Sequence, residues 1–186
     1  MDVVSFTRMD EGTEEDYALV GRLYREHVQE TLLDNVLNLL RQMQGPKLGY
    51  KIDRYQHSLQ TATRAERDGA DEETIVCALL HDIGDVVAPR NHSQFAAAVL
   101  RPYVSDKNHW ILKHHGLFQG YYYYDKIGKD KNAREALRGH EFFDACEAFC
   151  EKWDQTSFDP DYDTYDLDHF VPMVRRLLER APQDFD

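Results

Sequence analysis

Six positions along the chain carry side chains that bind metal ions when brought together: His57, the adjacent His81 and Asp82, His92, His115 and Asp154. Imidazole nitrogens and carboxylate oxygens suit transition metals, and they must converge from several helices, because one helix face offers only one or two ligands to a common point. An adjacent His-Asp pair sends its side chains in different directions, which suits a histidine on one metal and a carboxylate bridging to a second. Taken singly, each residue is ordinarily solvated or a core residue with a satisfied hydrogen bond; the ordered set is what points to a metal centre. His114 competes with His115, whose place just before Gly116 favours it. His27, His109, His140 and His169 have no partner at ligand spacing and read as surface or packing residues.

The elements that must position these groups read as helices. Thr13 with Asp16 is a start signal for a long amphipathic helix over about 13–44, stopped by Gly45-Pro46. A second helix carries His57 and ends near Asp68-Gly69, and Asp71 caps a third that runs into His81-Asp82-Ile83-Gly84. Asn91 or Ser93 starts a fourth, closed by Pro102. Ser105 starts a fifth, predicted to stop at His115 where Gly116 breaks it. Tyr121 to Tyr124 is strand-like in propensity but isolated, so an ordered irregular segment is expected. A sixth and a seventh helix follow, parted at Gly139; the seventh carries Phe142, Phe143, Phe149 and Trp153 and ends at Asp154. Residues 154–166 form an Asp-rich loop, and a last helix covers about 167–180, with Pro172 tolerable only near its first turn. With no repeat, linker or paired strand pattern, the expectation is one all-α domain over residues 1–186.

Composition narrows the partners. Thirty-four acidic against twenty-two basic residues give a formal net charge of −12, which disfavours nucleic acid and anionic lipid, because affinity for both rests on lysine and arginine. No apolar run approaches the roughly 20 residues of a membrane helix, and Cys77, Cys146 and Cys150 are an odd set that fits reduced thiols. A cytoplasmic protein with a small-molecule substrate is expected; the oligomeric state is open.

HSLQTA at 57–62 followed by LLHDIGD at 79–85 resembles the HD superfamily of metal-dependent enzymes. The resemblance runs from about Tyr50 to Asp154 and implies an HD-domain helical bundle with its metal site at the centre, the HD core lying at about 50–154. In that superfamily the first His, the His-Asp pair and a late Asp hold one metal, the paired Asp bridging; those positions are His57, His81, Asp82 and Asp154. His92 in NHSQF and His115 in LKHHG take the places that a second metal needs.

Two reaction classes use such a site. One is phosphohydrolysis of a nucleotide or other phosphomonoester. The other belongs to a branch of mixed-valent Fe(II)/Fe(III) oxygenases of organophosphonate breakdown, which the stretches at 91–105, 114–124 and 149–164 resemble. That resemblance implies two iron ions, O₂ as co-substrate, no organic cofactor, and cleavage of the carbon–phosphorus bond of a hydroxylated trimethylammonio-ethylphosphonate to glycine betaine and phosphate. A third reading, a degenerate domain that only binds a ligand, sits badly with the full ligand set. Branch members acting on a primary amine carry a glutamate at the place of Tyr50, and a trimethylated nitrogen, having no N–H, gains instead from an aromatic face. Tyr50 can equally cap an iron or pack a loop. Asp85 would add negative potential near the substrate, as a catalytic-site carboxylate, and one or two of the tyrosines, Tyr122 among them, would complete the aromatic surface. The branch's phosphonate-binding cations fall on Gln119 and Glu151; Arg134, Arg138 or Lys126 are the candidate replacements.

Overall fold

A computed structural model describes residues 3–183. Seven α-helices and several short 3-10 turns make up its regular structure, with no strand among the described residues. The helices are α1 (Glu14–Gln42), α2 (Arg54–Arg67), α3 (Glu72–Leu80), α4 (His92–Leu100), α5 (Asp106–Gln119), α6 (Phe143–Phe149) and α7 (Leu167–Leu178).

The caps are local chemistry. Thr13 and Asp16 form a reciprocal capping box at α1, and the side chains of Asp53, Asp71, Ser105 and Asp166 each accept a backbone N–H three residues on, starting α2, α3, α5 and α7. Each satisfies a donor that a helix start otherwise leaves orphaned.

α3 is the centre of the bundle: every residue from Thr74 to Leu80 is buried. α2, α5 and α7 pack against it, and one hydrophobic core joins it to Val36, Leu37 and Leu40 from the second half of α1, Leu59 and Ala62 of α2, Leu112 and Phe118 of α5, Phe143 and Phe149 of α6, and Phe170 and Val174 of α7. Because α3 is enclosed on all sides, the His81-Asp82 pair at its end is delivered to the middle of the protein.

Four expectations are revised. α5 does not stop at His115 but runs through Gly116 to Gln119, because Gly116 meets a close neighbour, α4, and its backbone remains helical. The expected sixth helix is a 3-10 segment, Ala133–Leu137. α6 continues as a π-helical turn, Cys150–Asp154, in which the Gln155 N–H bonds to the Cys150 carbonyl at 3.0 Å. Pro172 lies in the second turn of α7; the carbonyl four residues before it belongs to Asp168, exposed at the helix start, so the lost hydrogen bond is not a buried one. The tyrosine run is irregular as expected: Tyr121 and Tyr122 lie in one 3-10 turn, Gly120–Tyr122, Tyr124 opens another, Tyr124–Ile127, and Tyr123 joins the two.

Candidate metal centre

Three histidines are oriented by backbone carbonyls. His57 Nδ1 lies 2.9 Å from the Ser157 oxygen, His81 Nδ1 2.7 Å from Ala78 and His115 Nδ1 2.8 Å from Leu112. A carbonyl only accepts, so each Nδ1 is the donor and each Nε2 is turned toward the same small volume as a potential ligand. The Nε2 atoms of His57 and His81 stand 3.2 Å apart. Two lone pairs so placed repel unless a proton or a cation lies between them.

The carboxylates close the set. Asp154 Oδ1 is 3.2 Å from His57 Nε2, and the π turn that carries Asp154 rotates it inward from the end of α6, a common use of that irregularity. Asp82 divides its oxygens. Oδ2 is 3.1 Å from His81 Nε2 and 3.4 Å from His57 Nε2, while Oδ1 is 3.2 Å from His115 Nε2 and 3.4 Å from His92 Nε2. That is the geometry a bridging carboxylate requires. Three overlapping donor groups result, each with its ligand atoms within 4.8 Å of one another: His57, His81 and Asp154; His81, Asp82 and His115; Asp82, Asp85 and His92. His57, His81, Asp82, His115 and Asp154 are all buried. So many carboxylate and imidazole groups are stable away from water only when paired or holding a metal, and the donor set fits a pair of divalent or trivalent transition-metal ions.

The charge pattern agrees. Burial opposes ionisation of Asp82, yet Arg54, His81 and the adjacent His115 and His57 rings hold its carboxyl well below the usual range. Asp154, likewise buried, is pulled down by His57, His81 and His115. His81 is pushed down by burial but brought up to about 9 by Asp82 and Asp154, so a metal taking that position displaces a proton.

Arg54 was not singled out in the sequence. Its Nε donates to Asp85 Oδ2 at 2.8 Å and its Nη2 to Asp82. It precedes His57 by three residues, so both share one face of α2, a spacing that would have exposed it. Asp85 lines the central cavity, but its oxygens face Arg54 and, at 3.3 Å, His92 Nδ1. Its charge is therefore directed at those two residues. Also unforeseen was Phe158, in the Asp-rich loop, whose ring stacks on His57 at 4.4 Å.

A cavity of about 1120 Å³ opens over the centre. Tyr50 borders it, 53% exposed and stacked on Phe158 at 5.1 Å. Tyr122, Tyr123 and Tyr124 line another part, Tyr122 with its hydroxyl pushed up to about 12 by burial. Gln119 donates Nε2 to Asp154 Oδ1 at 3.0 Å, and its Oε1 is buried without a partner. Arg134 and Arg138 do not line the cavity. Arg134 is spent on Glu147 at 2.7 Å and on the Tyr121 ring, Arg138 on Glu135 at 2.7 Å. Lys126, bonded to the Tyr122 carbonyl, is likewise absent from the wall. The cations that do line it are Arg54, Arg90 and Lys113, and among the described residues the last two have no ion-pair partner. His114 packs on Trp110, leaving His115 as the inward member of its pair. No helix among the described residues is long and apolar enough to cross a membrane.

The chain is 28% identical over 162 residues to [1-hydroxy-2-(trimethylamino)ethyl]phosphonate dioxygenase (glycine-betaine-forming) of Leisingera caerulea, an alignment covering 72% of this chain and 83% of that one. The HD domain model matches residues 54–156, more than half of the chain and the span holding all six converging side chains; this chain belongs to the HD domain family.

Proposed function

We propose that the protein is a diiron oxygenase that uses O₂ to cleave the carbon–phosphorus bond of 1-hydroxy-2-(trimethylammonio)ethylphosphonate, giving glycine betaine and phosphate. The observation that carries this reading is the split carboxylate of Asp82, one oxygen toward His57 and His81 and the other toward His92 and His115, beneath an aromatic-walled cavity. The resemblance to the Leisingera dioxygenase supports the substrate. His57, His81, Asp82 and Asp154 would hold one iron, and Asp82, His92 and His115 the other. The Fe(II)/Fe(III) pair, when bound, supplies the redox chemistry with O₂, and no organic cofactor is required: substrate plus O₂ equals the carboxylate, hydrogen phosphate and one proton.

The chain's own residues then bind and orient. Tyr50 and Phe158 offer stacked aromatic faces beside His57, where a trimethylammonium group gains cation–π attraction without needing a hydrogen bond. Gln119, held through Asp154, leaves Oε1 free to accept from the substrate hydroxyl. Tyr122 adds aromatic wall. The anionic end falls to Arg90 and Lys113, the cavity cations without an ion-pair partner among the described residues, with Arg54 committed to Asp82 and Asp85. Asp85 acts as a positioning residue for Arg54 and His92.

Arg90 and Lys113 would serve any phosphate, so the second reading is a dinuclear phosphohydrolase acting on a nucleotide or other phosphomonoester. Iron-loaded protein given the phosphonate in air should release glycine betaine and phosphate in equal amounts and none under argon. Phosphate release from phosphomonoesters that is indifferent to O₂, with no turnover of the phosphonate, selects the hydrolase.

A further inference from the structure

His92 differs from the other three histidines in what holds it. His57, His81 and His115 each anchor Nδ1 on a backbone carbonyl and are buried, whereas His92 is 25% exposed at its side chain and its Nδ1 has no carbonyl anchor, facing only the Asp85 carboxylate at 3.3 Å without hydrogen-bond geometry. Two glycines close on it from opposite elements. A Cβ at Gly84 would stand 2.6 Å from both the Cα and the carbonyl oxygen of His92. A Cβ at Gly116 would stand 2.7 Å from Ser93 Oγ and 3.4 Å from His92 Nε2, the atom aimed at Asp82.

Neither glycine is demanded by its own backbone. Positive φ occurs at Gly45, Gly49, Gly69 and Gly128, and not at these two. Gly116 moreover sits inside α5, where alanine is intrinsically the better helix former. What these positions share is space: α4 enters the bundle with His92 as its first residue, wedged between the turn after Asp82 and the flank of α5.

We propose that Gly84 and Gly116 form a slot that positions His92, and that the walls of this slot set how tightly the second metal is held. The inference rests on the dinuclear reading. Gly84 opposes backbone, which cannot yield, so Gly84→Ala threatens folding; Gly116 opposes a hydroxyl and a ring and is the position to test.

Full-length wild type, Gly116→Ala and Gly116→Ala/Ser93→Ala are titrated anaerobically with ferrous iron, bound metal is counted after desalting, and the melting temperature of each metal-free protein is taken. Gly116→Ala should melt at or above wild type, keep one iron with wild-type affinity and hold the second about tenfold or more weakly, the range seen when the surroundings of a ligand are disturbed. Removing Ser93 Oγ in the double variant should recover much of that affinity. Two irons at wild-type affinity in Gly116→Ala overturn the slot alone, as does equal loss of both irons with no recovery in the double variant. A wild-type chain that takes up a single iron overturns the dinuclear reading and the slot with it.

Discussion

Tyr50 is where aromatic recognition of the substrate and capping of a metal can be separated. Its ring stacks on Phe158 at 5.1 Å, Phe158 stacks on His57, and Tyr50 remains 53% exposed at the cavity wall, so the packed ring keeps surface that a cation can meet. A cation–π contact at such a partly exposed site is worth about 0.5–2 kcal/mol. At 1.36 kcal/mol per factor of ten, its loss lowers kcat/KM by roughly twofold to thirtyfold. Tyr50→Leu should show that loss on the trimethylammonium substrate. Tyr50→Phe keeps the ring and deletes only the hydroxyl, so it should stay within about twofold of wild type on the same reasoning. Tyr50→Glu should shift the ratio of kcat/KM toward the corresponding primary amine, which a carboxylate can hydrogen-bond with charge assistance. The assay is product formation by iron-reconstituted enzyme, normalised to bound iron. If Tyr50→Phe fell as far as Tyr50→Leu, the hydroxyl and not the ring would be the working group, placing Tyr50 on the metal.

Asp82→Ala should lose both metals, because one carboxylate faces both halves of the donor set; elemental analysis showing two irons per folded chain would contradict the bridge. Arg90→Ala and Lys113→Ala should each raise KM for the phosphonate by about tenfold, the scale of one charge-assisted contact, whereas Arg138→Ala, spent on Glu135, should leave KM unchanged; steady-state kinetics decide. Burial pushes the Glu73 carboxyl up, but hydrogen bonds from Ser105, Arg180 and Asn108 outweigh it and bring it down to about 2. Its contribution to stability is therefore full above the ordinary carboxylate range and is lost as pH falls toward 2. Melting temperatures of wild type and Glu73→Gln should differ at pH 7 and converge by pH 2; a gap that persists in acid would refute the assignment.

Much of the fold was legible because helix starts are written in adjacent residues. Thr13, Asp71 and Ser105 each cap within three positions, as Asp53 and Asp166, not picked out in the sequence, also do, and the side-chain donors follow in chain order from His57 to Asp154. What escaped depends on contacts between distant segments. Gly116 reads as a helix breaker until α4 is seen against it. Ser157 and Phe158, in a loop that looks merely acidic, reach back about a hundred residues to His57. Arg134 and Arg138 resemble free cations on a polar segment, and only packing reveals that Glu147 and Glu135 already hold them. Arg54 was within reach, since its spacing to His57 places both on one helix face.

The most direct test of the central claim is a stoichiometry. Iron-reconstituted protein is mixed with a limiting amount of 1-hydroxy-2-(trimethylammonio)ethylphosphonate, and O₂ uptake, glycine betaine and phosphate are measured in the same reaction. The proposed reaction requires one O₂ consumed and one of each product formed per phosphonate, with no added reductant. Phosphate without O₂ uptake, or O₂ uptake that leaves the carbon–phosphorus bond intact, would contradict it.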